Sequence, residues 1–321
     1  MTTALGAAAD MACMETAAAL CGASIDAGTP LALASLGLLV NERSGVINLG
    51  AEGMLLLGAL AGFASAVHGH PWLGFGVGAL AGAALALVFG ALAIWLDTNQ
   101  YATGLAASLL GAGVSAFAGV PYTGQAIGER ATTIIPALAD LPLLGAALFR
   151  HHALVYGAAL LALALHWLLF RTRGGLVVRG IGESPETAHA LGFPVRRIRL
   201  GCVVAGGALC GVAGAYLSIV HTPLWVEGMT AGKGWIALAL TTFATWRPLR
   251  VLCGAYLFGA LTMLELHLQG EGVDVPPQLL AMLPYLATIL VLALISRGRA
   301  LRRLGLPASL GKPFHPGART T

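Results

Sequence analysis

Apolar runs of membrane-spanning length dominate the chain. A helix rises about 1.5 Å per residue, so crossing about 30 Å of hydrocarbon takes roughly 20 residues. Nine runs near that length predict eight to ten crossings. Asp26 and Pro30 interrupt the first run and the seventh is short, so either run is expected to be broken, re-entrant or joined to its neighbour. The runs are approximately 13–40, 46–67, 72–96, 102–120, 152–170, 200–221, 231–246, 249–268 and 278–296.

Composition indicates the same class of protein. The 321 residues are 57% hydrophobic and only 10% charged, whereas about a quarter of an average soluble domain is charged. A mean hydropathy of +0.82 and 44 glycines are typical of polytopic helical membrane proteins. These values exclude a disordered chain, a disulfide-rich secreted domain and a nucleic-acid binder. We expect one transmembrane domain over 1–296 and a basic cytoplasmic tail over 297–321.

The basic residues orient the predicted bundle, because Lys and Arg accumulate in short cytoplasmic loops. They concentrate in the loop 171–199, beside Arg247 and in the tail. Placing these segments inside leaves only two basic residues, Arg130 and Arg150, in the outer loops. The N-terminus is then outside and the C-terminus cytoplasmic. Residues 1–24 contain no Lys or Arg, so they lack the basic start of a cleavable signal peptide.

Glycines recur at the four-residue spacing that lets helix backbones approach closely. Because a multi-span bundle has many internal contacts to make, we expect these glycines to pack helices within the chain rather than to form a dimer. The pattern comprises Gly74, Gly78 and Gly82, Gly58 with Gly62, and Gly207 with Gly211.

The chain lacks the motifs of an ATPase or a metal site. No G-x-x-x-x-G-K-[ST] motif is present, and the segments outside the spans are too short for an independent ATPase domain. Any energy source must therefore be a gradient or another subunit. The histidines at 68, 70, 151 and 152 have no nearby acidic or cysteine partner in sequence and are interpreted as interfacial polar residues. No zinc or disulfide is expected from the five cysteines.

Glu52 is the strongest candidate for a functional residue, because ionisable groups inside a span are costly. If the second span begins near Val46, Glu52 lies about 9 Å into the membrane. Asn48 would lie one turn earlier on the same helix face. Two interpretations are equally supported: the pair lines a substrate path, or Glu52 ties helices together at a break flanked by Gly50 and Gly53.

A second candidate is the glycine-rich stretch 228–235, which contains Lys233 and Trp235. Glycine-interrupted helices expose backbone groups to substrate in transporters. Alternatively, Lys233 extends to the outer headgroups and Trp235 lies in the interfacial aromatic belt.

The loop 171–199 contains a helix start. Ser184 is a typical N-cap, Pro185 fits the first helical position, and Glu186 places an acid in the first turn. A short helix is therefore predicted up to Gly192. It is either an ordinary loop helix beside anionic headgroups or a docked helix that receives the motion of a partner.

Three blocks resemble known membrane permeases. Residues 36–54, residues 179–188 followed by Gly192, and residues 228–240 (GMTAGKGWIALAL) are similar to signatures of permeases from ABC importers of the branched-chain amino acid, simple-sugar and nucleoside superfamily. The third block most resembles the nucleoside branch, which includes guanosine permeases linked to basic membrane lipoproteins.

The resemblance implies an all-α type II importer permease in the bacterial inner membrane. Two permease subunits, identical or paralogous, would form the pathway; two cytoplasmic ATPases would use ATP and Mg, and an extracytoplasmic solute-binding protein would deliver substrate. The chain itself would hold no catalytic residue, metal or cofactor. The resemblance implies that the loop helix couples the permease to the ATPase, through Gly182, Glu183, Pro185, Glu186 and Ala188. The candidate pathway residues are Asn48, Glu52, Lys233 and Trp235.

The expected substrate is a nucleoside or a related small polar solute. A simple sugar or a branched-chain amino acid is the alternative within the same architecture. A proton-coupled secondary transporter would instead use Glu52 as its proton carrier. An intramembrane enzyme is disfavoured, because the sequence offers no convincing nucleophile–base pair at membrane depth.

Overall fold

The structure is a computed structural model. It describes residues 2–128, 133–134, 148–271, 276–280, 282–283, 286–287, 289–290, 293 and 306–315.

The described part of the chain is largely helical. In chain order the helices are α1 (Thr2–Arg43), α2 (Ala51–Val67), α3 (Pro71–Gly90), α4 (Gln100–Gly119), α5 (Ala153–Arg171), α6 (Arg173–Glu183), α7 (Pro185–Ala190), α8 (Val195–Tyr216), α9 (Lys233–Phe243), α10 (Pro248–Gly270) and α11 (Pro277–Leu280). Single π-helical turns continue α3 (Ala91–Trp95) and α8 (Leu217–His221), and a 3₁₀ turn follows α4 (Val120–Tyr122). Two short antiparallel strands, β1 (Thr133–Ile134) and β2 (Arg150–His151), pair with each other.

Six of the described helices are long and apolar enough to cross a membrane. They are α1 from Thr16, α3 and α8 with their π turns, α4 with its 3₁₀ turn, α5 and α10. The apolar α2 is shorter, with 17 residues. The predicted all-α polytopic fold is thereby confirmed. About half of the predicted ninth span, 278–296, lies outside the described residues.

The two irregular runs each contain a continuous helix. Although Pro30 lies inside α1, the helix continues without a break to Arg43. The seventh run, 231–246, contains one short continuous helix, α9 (Lys233–Phe243), which follows turns and isolated bridges over residues 222–232. Neither run is interrupted internally, and the seventh is simply a short helix.

The core of the bundle lies where α8 packs against α1, α2 and α3. Fully buried apolar side chains fill it, including Leu55, Phe89 and Val203. By contrast, α4, α5 and α10 present exposed apolar side chains, of which Phe117 is 84% exposed. Such outer faces suit lipid or another membrane subunit, because hydrocarbon is the solvent there.

The predicted glycine contacts are confirmed. A Cβ on Gly78 would lie 2.9 Å from the carbonyl oxygen of Gly58 and 3.1 Å from that of Gly211. A Cβ on Gly74 would lie 2.6 Å from the carbonyl oxygen of Gly62. These backbones approach so closely that only glycine fits, as in small-xxx-small helix pairs.

Gly82→Ala is expected to destabilise the bundle. The added Cβ would collide with the carbonyl oxygen of Gly207 and lie 2.8 Å from the backbone nitrogen of Gly211. Overpacking of this kind typically costs about 1–3 kcal/mol. The matched control is Gly76→Ala in the same helix, where a Cβ would meet nothing within 4 Å. Thermal unfolding in detergent should show a lower midpoint for Gly82→Ala only; equal midpoints would contradict the packing argument.

The segments predicted as cytoplasmic meet at one end of the bundle. Arg43 Nη2 donates to the Trp246 carbonyl at 2.8 Å, and Arg196 Nη2 lies 2.8 Å from Asp97 Oδ2. The Ser309 backbone N–H donates to the Gly182 carbonyl at 3.0 Å. We call this end, formed by residues 43–47, 96–99, 171–199, 244–250 and 306–315, the basic end.

Candidate functional site

The half-length helix α9 defines the candidate site. Its 11 residues span about 16 Å, roughly half of a 30 Å hydrocarbon core. The helix ends at Phe243, next to the segment 244–250 of the basic end. Its N-terminus therefore lies about midway through the bundle. Left-handed backbone at Gly228 (φ 68°), Ala231 (φ 45°) and Gly232 (φ 80°) forms the turns that precede it.

Glu52 closes the N-terminus of α9. Its carboxylate accepts hydrogen bonds from the Thr230 hydroxyl at 2.5 Å, the Gly232 N–H at 2.9 Å and the Gly234 N–H at 2.6 Å. Glu52 itself lies in the first turn of α2. The carboxylate therefore lies at the N-termini of two helices, where the helix dipoles favour negative charge. Two motifs that the sequence singled out separately form one site.

The predicted geometry of Asn48 is wrong. Because α2 begins at Ala51, Asn48 lies in the preceding turn and not one helical turn before Glu52 on a shared face. Its side chain is fully buried, and its Oδ1 accepts the Gly50 N–H at 2.9 Å. Asn48 thus stabilises the turn that positions Glu52.

Lys233 and Trp235 occupy the first turn of α9. Lys233 is half-buried and interacts electrostatically with the Glu52 carboxylate. It lies about 16 Å of helix from the basic end, which favours the first of the two sequence interpretations over the one in which Lys233 extends to the outer headgroups. The Trp235 side chain is 36% exposed.

A second carboxylate, Glu42, lies at the other end of α9. It is buried and accepts a hydrogen bond from the Thr241 hydroxyl at 2.9 Å and another from the Trp246 indole N–H. Arg43 Nη2 donates to the Trp246 carbonyl at 2.8 Å. Sequence reasoning missed Glu42 because it ended the first span at residue 40. The charge directly after the apolar run 36–40 was the available signal.

Block 41–54 therefore fixes α9 at both ends. Glu42 accepts hydrogen bonds from side chains near the C-terminus of α9, and Glu52 caps the N-terminus of the same helix. Carboxylates that accept several hydrogen bonds restrain the geometry of their partners strongly. The position of α9 thus follows from two residues of one short block.

The loop 171–199 contains the predicted helix start. Ser184 Oγ accepts the Thr187 N–H at 3.3 Å, and α7 begins at Pro185. The loop also contains α6, which the sequence interpretation did not predict. Among the predicted coupling residues, Glu183 and Glu186 are exposed, whereas Gly182, Pro185 and Ala188 are buried.

An apolar cavity of about 260 Å³ opens beside α7. Leu191 and Phe193, which follow α7, are 72% and 37% exposed. Exposed apolar groups beside a cavity are typical of a surface that another protein covers. The lining residues include Leu176, Val177, Thr187, Ala188, Leu191 and Phe193.

Among the described residues, no group of three His, Cys, Asp or Glu side chains could hold a metal ion. His151, which has no acidic partner nearby in sequence, has one in the fold, because its Nδ1 lies 3.0 Å from Asp26 Oδ1. Asp26 also accepts the Tyr216 hydroxyl at 3.3 Å. The partner is distant in sequence and was therefore invisible to a search for local spacing.

Comparison with known families decides the class of protein. The family described as "Branched-chain amino acid transport system / permease component" matches residues 23–293. The chain belongs to this family.

The permease is also similar to named transport proteins. It is 44% identical over 326 residues to a Haloferax volcanii protein provisionally named as a glucose ABC transporter permease (94% of this chain, 99% of that one). It is 32% identical to the guanosine ABC transporter permease of Bacillus subtilis (88% of this chain, 94% of that one). It is equally identical to the nucleoside ABC transporter permease of Lactococcus lactis (83% and 88%). No solved structure matches the chain.

These findings confirm the predicted class. The permease is a multi-pass membrane subunit of an ABC transporter and not an enzyme. Its named relatives include both nucleoside and glucose permeases.

Proposed function

We propose that the permease forms part of the pathway of an ATP-driven importer for a nucleoside. The observation that carries the proposal is the half-length helix α9, whose N-terminus meets the Glu52 carboxylate about midway through the bundle. Discontinuous helices with polar groups at mid-depth are typical of substrate sites in transporters. The relatives named for guanosine and nucleosides support the choice of substrate.

The proposed pathway residues offer chemistry that suits a nucleoside. The partly exposed Trp235 ring provides a face for a planar base, since stacking on an aromatic side chain contributes about 1–3 kcal/mol per base. Lys233 and Glu52 supply a donor and an acceptor for hydroxyl groups of the sugar. Asn48 acts indirectly, through the buried turn that positions Glu52.

The proposed energy source is an ABC ATPase on a separate chain, which binds ATP and Mg. It would contact the coupling residues Glu183 and Glu186 and the apolar cavity beside α7, while the buried Gly182, Pro185 and Ala188 fix the shape of that surface. A second permease subunit, identical or paralogous, and an extracytoplasmic solute-binding protein complete the proposed importer. In this proposal the basic end and the C-terminus face the cytoplasm, and the N-terminus lies outside the inner membrane.

The proposal is tested by uptake into proteoliposomes that contain the permease, the ATPase, the sister permease and the binding protein. We expect uptake of radiolabelled guanosine only with internal ATP, and none when this permease is omitted. ATP-independent uptake that collapses with the proton gradient would instead identify a secondary transporter.

A simple sugar is the second candidate substrate, because the relative named for glucose is 44% identical to the permease. The same vesicles should therefore be offered labelled glucose in parallel. ATP-dependent uptake of glucose without guanosine would overturn the substrate and leave the importer class intact.

A further inference from the structure

One described segment near the C-terminus packs against the other segments of the basic end. We call residues 307–315 the tail segment. Its Ser309 and Phe314 side chains are buried. Apolar and polar side chains of a free tail would be exposed, so this burial indicates a docked element.

The first set of contacts joins the tail segment to the last turn of α6. The Ser309 N–H donates to the Gly182 carbonyl at 3.0 Å, and the Ser309 hydroxyl donates to the same carbonyl at 2.7 Å. A Cβ on Gly182 would lie 3.3 Å from Pro307 Cβ and would collide with the Arg43 carbonyl. Gly182 thus allows the tail segment and the end of α1 to approach the backbone of α6 closely, directly before α7.

Arg199 joins the tail segment to two further elements. Its side chain is 2% exposed. From α8, its Nε donates to the Ser44 carbonyl at 3.0 Å, its Nη2 to the Ser309 hydroxyl at 3.0 Å, and its Nη1 to the Lys312 carbonyl at 3.4 Å. The rigid planar guanidinium can make these bonds only while the three elements keep their relative positions.

Phe314 joins the tail segment to α7 itself. Its ring packs in a buried cluster with Ile181, Ala188 and Val195, and its centroid lies 5.6 Å from that of the His189 ring. Ala188 therefore packs on Phe314 and also lines the cavity beside α7. The helix that would meet the ATPase rests on the tail segment.

We propose that the tail segment is a brace that couples movement of α7 to the bundle, with Arg199 and Ser309 as positioning residues. The inference rests on the proposed function of α7 as the ATPase contact. A helix of 6 residues is too short to be stable alone. Without the brace, movement of the bound ATPase would distort α7 locally instead of moving α1, α2 and α8.

The brace is tested first by hydrogen exchange of the full-length permease in nanodiscs, which requires no partner. Phe314→Ala should accelerate exchange of amides 182–192 about tenfold or more, because local opening becomes easier. Exchange in α9 should not change. The matched control is Leu306→Ala, which removes a 53% exposed side chain just before the tail segment. Unchanged exchange at 182–192 in Phe314→Ala would overturn the proposal.

The second test measures ATP hydrolysed per solute imported in the assembled importer. Phe314→Ala and Ser309→Ala should lower uptake at least fivefold while ATP hydrolysis continues, and Phe314→Leu should restore most of the coupling. A merely structural role would instead reduce hydrolysis, uptake and abundance together. Faster exchange with normal coupling would also overturn the brace. If the wild-type importer shows no ATP-dependent uptake of any solute, the proposed function fails. The exchange experiment needs no partner, so it still shows whether the tail segment stabilises α7, and the two failures can be told apart.

Discussion

Glu52→Ala is expected to destabilise the permease and to abolish uptake. The substitution leaves the Thr230 hydroxyl and the N–H groups of Gly232 and Gly234 without their acceptor. A buried donor without a partner costs about 1–3 kcal/mol. The free energy of unfolding should therefore fall by on the order of 3 kcal/mol or more. Thermal unfolding and uptake per permease molecule measure the two effects.

The control for this variant is Glu227→Ala, which removes an exposed carboxylate from the same connecting segment. It should retain the wild-type unfolding midpoint. A Glu52→Ala permease with normal stability and normal uptake would contradict the capping role that the geometry indicates.

Glu52→Gln separates the two interpretations of this residue. An amide keeps one acceptor oxygen but directs an NH₂ group at one of the donors, so part of the cap is lost. Reduced uptake with normal abundance would support a pathway role for Glu52. Reduced abundance with normal uptake per molecule would instead support a purely structural role.

The sequence predicts the elements of this site better than their assembly. Apolar runs identify the helical membrane class, and Ser184-Pro185-Glu186 predicts the start of α7, because these signals depend on neighbouring residues. The bond between Glu52 and Thr230 joins residues 178 positions apart. No local pattern specifies such a pairing, so only the tertiary structure reveals that two candidate motifs are one site.

The errors have similar physical causes. The apolar residues Val46, Ile47 and Leu49 resemble a helix start, yet the chain there is irregular, and α2 begins only at Ala51. The sequence predicts a loop with one short helix over 171–199, but α6 also forms there and includes Gly174 and Gly175, because tertiary packing overrides their weak helix propensity. Ser309 lies in a basic tail without an apolar run, and its hydroxyl accepts a hydrogen bond from Arg199 of α8, 110 positions earlier in the chain.

Together, these contacts connect the proposed coupling surface to the candidate site. Arg199 donates a hydrogen bond to the Ser44 carbonyl in the turn that follows α1. The chain continues from this turn to Glu52, which caps α9. Glu42, one residue before Arg43, accepts a hydrogen bond from Thr241 at the opposite end of α9. A contiguous set of packed and hydrogen-bonded elements therefore extends from α7 to the N-terminus of α9, and chains of this kind are a route through which two sites can be coupled.

Leu191→Asp is expected to abolish ATPase binding without destabilising the permease. Leu191 is 72% exposed beside α7, so a charge there costs the free permease little. In the proposed complex the side chain becomes buried, and a lost leucine contact costs about 1.5–3 kcal/mol. Burial of an unpaired carboxylate adds to this cost. The affinity should therefore fall at least about 100-fold, since every 1.4 kcal/mol is a factor of ten.

Binding of the purified ATPase to nanodisc-embedded permease measures this effect, alongside the thermal unfolding midpoint. Leu306→Asp is the matched control, because it places the same charge at another exposed leucine of the basic end. Strong loss of binding for Leu191→Asp alone would identify the cavity beside α7 as the docking surface. Equal loss for both variants would indicate a general effect of negative charge at this end, and normal binding of Leu191→Asp would exclude the cavity. Because the midpoint should stay at the wild-type value, a loss of binding is attributable to the surface rather than to misfolding.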